Sequence, residues 1–83
     1  MENTPGRMGW LLLPETPGHG TRAINLDDGA IFILSHIANE QVEIAYTTPA
    51  GERHSLGHFP KTEGQRKFNA LMEKLKPLAF ADL

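Results

Sequence analysis

The chain has 83 residues, 40 % of them apolar and 22 % charged, with a formal net charge of −2 and no cysteine. That length supports one hydrophobic core, hence one domain over residues 1–83, and leaves stability modest because so short a chain removes only roughly 60–65 % of its unfolded surface from water. The absence of cysteine excludes a disulfide framework and any thiolate zinc or redox site, and the weak net charge argues against a protein that coats nucleic acid along its length.

Residues 1–7 are polar around Pro5 and Gly6 and read as a flexible end. Residues 8–13 form an apolar run closed by Pro14, which predicts a short strand. The run is too short for a signal peptide, and no other stretch approaches the roughly 20 apolar residues of a membrane span. The expected location is therefore cytoplasmic, with no membrane partner. Residues 14–21 carry Pro14, Pro17, Gly18 and Gly20 around His19 and predict a loop.

Residues 23–26 read as a strand with Ile24 and Leu26 on one face, and Asp27, Asp28 and Gly29 as a hairpin turn, since Asp and Gly tolerate positive φ. Residues 30–37 give the clearest strand. Ile31, Ile33 and Ile37 share one face, Phe32 and Leu34 the other, so this strand should be central and covered on both sides, or covered at one end by the N-terminal segment. After a tight connection at Ala38, Asn39 and Glu40, residues 41–48 alternate, with Val42, Ile44 and Tyr46 inward and Gln41, Glu43 and Thr47 outward. Pro49, Ala50 and Gly51 make a second hairpin turn, and residues 53–59 a further strand.

The helix is predicted over about residues 62–76. Thr62 and Gln65 have the spacing of a capping box, Phe68, Leu71, Met72 and Leu75 form one apolar stripe, and Pro77 stops the element. Gly64 in the first turn should weaken it by up to about 1 kcal/mol relative to Ala. The tail, residues 78–83, holds Leu78, Phe80 and Leu83 and should pack on the sheet or on a partner. The fold class that follows is α+β: an antiparallel β-meander of four to five strands with one C-terminal α-helix packed on one face.

Charge is unevenly spread. Residues 1–52 hold two cations against seven acids, a net of −5, whereas residues 53–76 hold six cations against two acids, a net of +4. Arg53, Lys61, Arg66 and Lys67 cluster in sequence around Phe59, a combination suited to phosphate contact with base stacking, and His54 and His58 stand beside them at the spacing that shares one face of a regular strand. These seven residues are the candidate contacts for nucleic acid or another partner. Trp10, His19 and Phe80 are candidate protein contacts, because open sheet edges and surplus apolar residues invite association.

No catalytic constellation accompanies Asp27 and Asp28, which read as turn residues, and Ser35 and Ser55 lack the setting of an activated nucleophile. Two strand histidines fall short of a metal ligand set, and Gly18 and Gly20 precede no helix, so no metal, cofactor or enzymatic activity is expected. The expected function is a small non-enzymatic interaction or regulatory module that binds a protein partner or forms a homodimer. The alternative is a single-stranded DNA- or RNA-binding domain using residues 53–76.

Overall fold

The computed structural model describes residues 8–16 and 20–80. Residues 1–7, His19 and the last three residues of the tail, read above from sequence, lie outside these. The elements in chain order are β1 (Trp10–Leu13), β2 (Thr21–Asn25), β3 (Ile31–Ala38), β4 (Gln41–Thr47), β5 (Arg53–Pro60), α1 (Lys61–Leu75) and β6 (Leu78–Ala79). They form one sheet in the order β5-β4-β3-β2-β1-β6, with α1 against it. Strands β1 to β5 are an antiparallel meander, as expected, and β6 adds a sixth strand parallel to β1.

The turns explain the meander. At the β2–β3 hairpin the Asn25 carboxamide oxygen accepts from the backbone N–H groups of Asp27 and Asp28 at 2.8 and 3.0 Å, Asp28 Oδ1 accepts from Ala30 N–H at 3.0 Å, and Gly29 takes φ +86°. The β4–β5 turn is closed by Thr48, whose Oγ1 accepts from Glu52 N–H and whose carbonyl accepts from Gly51 N–H. Strand β2 starts earlier than predicted, and Leu26 leaves the ladder to donate its N–H to the Gly9 carbonyl.

The helix begins one residue before the predicted start, and the expected capping box does not form. Pro60 occupies the N-cap position and supplies no side-chain cap, while Gln65 Nε2 donates to Asn69 Oδ1 at 2.9 Å instead of reaching back. Proline's fixed φ suits the entry to a helix, so the turn is set by backbone geometry. Lys76, in the left-handed conformation, donates its N–H to the Met72 carbonyl, and Pro77 prevents continuation.

One face of the sheet carries the core. Leu34, Val42, Ile44 and Phe68 are buried, and Leu12, Phe32, Phe59 and Met72 close around them. Burying Phe68 alone contributes about 1.5–3 kcal/mol. Gly64, read above as a weak point in the helix, is buried against β4: a Cβ there would overlap Cγ2 of Val42, so its smallness is what lets α1 approach the sheet.

Candidate functional site

The opposite face of the sheet is the feature that composition alone did not locate. Directly paired residues share a face, so the register fixes which side chains stand on it. One rank crosses Leu11, Ile24, Ile31 and Thr47; the next crosses Leu13, Arg22, Ile33, Ala45 and Ser55; a third holds Ser35, Glu43 and His58. Leu78 extends the first rank onto β6. The helix covers the other side, and among the described residues no helix or strand lies over this one. The expectation that β3 is central is met; among the described residues no second layer lies on its Ile31 and Ile33 side, and residues 1–7 of the N-terminal segment lie outside them.

Large aliphatic residues here remain partly exposed, and Leu78 is half exposed. Arg22 stands among them, its Nε shielded from water with no hydrogen-bond partner among the described residues. That cation stands among the aliphatic side chains of β1, β2 and β3, while the β4 and β5 side of the same face is polar, with Thr47, Ser55, Glu43 and His58. Leu11, Leu13, Ile24 and Arg22 were not singled out as contacts from sequence; the available signal was period-2 apolar spacing on strands whose other face was already apolar.

Beside this patch lies an ion cluster. Arg53 Nη2 meets Glu43 Oε1 at 2.7 Å, and His58 Nε2 lies 3.4 Å from Glu43 Oε2. Hydrogen bonds from Arg53 and Ser55 outweigh the opposing effect of burial and hold the Glu43 carboxyl at about 2, well below its ordinary 4.5. The carboxylate stands between Ser55 and His58. A nucleophilic triad needs the imidazole in the middle, where it can take the hydroxyl proton, so the cluster is arranged as a structural clamp across β4 and β5.

The structure divides the seven residues of the basic candidate site. A bulge between Ile44 and Ala45 of β4, opposite Leu56 and Gly57 of β5, inserts an extra residue and flips the strand. His54 therefore pairs with Tyr46 and His58 with Glu43, placing the two histidines on opposite faces rather than on one. Gly57 serves the bulge with φ +135°. Phe59 closes the core, with Lys67 Nζ 5.4 Å from its ring centroid. Arg53 is held by Glu43 on the side away from the helix, while Lys61 and Arg66 line an open groove with Glu40, Thr62, Gln65 and Asn69. The cluster is one in sequence and four in space.

Of the candidate protein contacts, Trp10 packs with its ring tilted against Phe32, centroids 5.5 Å apart, and Phe32 in turn lies 4.7 Å from Tyr46, giving an aromatic row on the helix side of the sheet. Phe80 is 58 % exposed at the end of β6. No group of three or more metal-ligating side chains occurs among the described residues, and no helix among them is long and apolar enough to cross a membrane. Comparison with known protein families, curated proteins and solved structures finds no match for this chain.

Proposed function

We propose that the protein is a small non-enzymatic interaction module whose working surface is the uncovered sheet face around Ile31 and Ile33. The observation that supports this is the asymmetry of cover: one face of the sheet is closed by α1, while the other presents aliphatic ranks from β6 to β3 with no helix or strand over them among the described residues. A two-layer domain keeps an antiparallel sheet's second face polar when that face meets only water. Contiguous apolar surface of this kind marks an interaction site.

The edges are poorer docking surfaces. Strand β5 is broken by its bulge and ends in Pro60, and β6 has two residues; both are devices that discourage strand addition. A regulatory or accessory role fits such a module, since its resource is a binding face rather than a reaction centre.

The test is a double variant, Ile31→Lys with Ile33→Lys, unfolded by denaturant in dilute solution. If the face exists for a partner, the isolated chain should keep its stability to within about 1 kcal/mol, the span of strand propensity. A loss of several kcal/mol would show that the chain uses these residues in its own core, and the reading would fall.

The alternative, single-stranded nucleic-acid binding through residues 53–76, draws its support from Lys61 and Arg66 along the groove and from Lys67 over Phe59. It has the weaker case because Arg53 is engaged by Glu43 and Phe59 is packed in the core. Retention on single-stranded DNA that falls steeply with salt would favour it.

A further inference from the structure

Resting on the reading of the open face as a binding surface, the geometry points to a second copy of this chain as its occupant, packed face to face about a two-fold axis running along β3. Two features of the face argue for a copy of itself: where its charges stand, and how large it is.

Strands β2 and β4 flank β3, so rotation about an axis along β3 lays β2 of each copy over β4 of the other. Arg22, Ile33 and Ala45 form one rank. Ile33 then meets Ile33 of the second copy, and Arg22 stands at the level of Ala45, a residue already covered within its own chain, so its guanidinium is directed along β4. Glu43 lies two residues along β4 from Ala45, a step of about 6.8 Å, on the same face. The guanidinium thus meets a carboxylate, twice by symmetry, as an isologous interface requires. Glu43 already holds Arg53 at 2.7 Å and accepts from Ser55, with His58 3.4 Å from Oε2, so Arg22 of the second copy would join an existing charge cluster at its least engaged oxygen. An axis along β2 would instead set Arg22 against its own copy, which like-charge repulsion opposes.

The size of the face sets the strength. With the axis along β3, the five strands from β5 to β1 overlap; at about 4.8 Å spacing they span about 19 Å, and the ranks cover about 17 Å along the strands, roughly 330 Å² projected on each copy. Two such faces together fall in the small-interface class of weak or transient complexes. The dimer should therefore form reversibly in the micromolar range and dissociate on dilution.

The chain has no cysteine, so single cysteines report geometry cleanly. Facing sheets pack about 10 Å apart, beyond the reach of a direct disulfide, so a short bis-maleimide reagent should link Ile33→Cys, on the axis, to its copy and should not link Leu78→Cys, at the far edge of the sheet. Sedimentation equilibrium of the parent chain should show a monomer–dimer equilibrium from micromolar to millimolar concentration, weakened about tenfold or more by Arg22→Glu, which opposes two acids. A parent chain that stays monomeric throughout overturns the inference; if Ile31→Lys with Ile33→Lys is still tolerated in dilute solution, the reading of the face as a docking surface survives with a different partner. Dimerisation with efficient linkage at Leu78→Cys and none at Ile33→Cys overturns the axis along β3.

Discussion

Gly64 of α1 lies so close to Val42 of β4 that a Cβ on the glycine would overlap Cγ2 of the valine. The two residues set the distance between the helix and the sheet, and Phe68, one turn on, fills the space that this approach creates among Leu34, Val42 and Ile44. Helix propensity alone would have Gly64→Ala stabilise the protein by up to about 1 kcal/mol. Overpacking against a β-branched neighbour reverses the sign: the variant should lose about 1–3 kcal/mol in denaturant unfolding. A gain in stability would show that α1 can shift without cost.

The Glu43 clamp predicts a specific acid dependence. Because the carboxyl is held at about 2 in the folded chain against an ordinary 4.5, its contribution is fully present above 4.5 and is lost as the pH falls from there toward 2. Arg53 is about half exposed, so solvent screening limits the contribution to about 1–2 kcal/mol. Stability measured over that window should fall more steeply for the parent chain than for Arg53→Met, which lacks the largest cause of the shift. Parallel curves for the two would remove the clamp from the account.

At the β5 bulge, Gly57 combines φ +135° with a Phe59 ring carbon only 2.8 Å from where its Cβ would stand. Gly57→Ala should therefore cost about 1–3 kcal/mol, through backbone strain together with displacement of the ring. Proton chemical shifts of Phe59 are the direct check; an unchanged ring environment with unchanged stability would mean the bulge does not need glycine.

Glu40 supplies a contrasting case. It closes the β3–β4 hairpin at φ +59°, exposed, with its carbonyl accepting from Lys61 N–H. A side chain in that conformation is disfavoured by about 1 kcal/mol or more relative to glycine, so Glu40→Gly should raise the unfolding midpoint. A lower midpoint would place the value of Glu40 in its side chain rather than its backbone.

These residues also show what could be read without coordinates. The hairpins were legible because their determinants are local: Asp27, Asp28 and Gly29, or Pro49 and Gly51, carry the turn chemistry within four residues. The helix stripe through Phe68 and Met72 was legible by period. Strand β6 was not, because a two-residue strand has no turn or periodic signature and exists only through its pairing with β1. The bulge was hidden for a similar reason. Gly57 looks like any glycine in a strand until its partner strand is known, and on it depends whether His54 and His58 share a face. The role of Gly64 is wholly tertiary, since sequence shows its cost to the helix but not the valine beneath it. The site followed the same rule: the basic cluster was conspicuous in sequence and is dispersed in space, whereas the open face assembles Leu11, Ile24, Ile31 and Ile33 from three strands.

The most direct test of the open face is the exposure of its methyl groups to a soluble paramagnetic probe, followed by methyl NMR over a dilution series. Ile24, Ile31 and Ile33 should be broadened in dilute solution and protected as concentration rises, in step with the sedimentation mass, while Leu56, 51 % exposed on β5, stays broadened throughout. Protection of the three isoleucines at every dilution would mean that the chain covers its own face, and broadening at every concentration would mean that no second copy does; either result would contradict a self-docking surface.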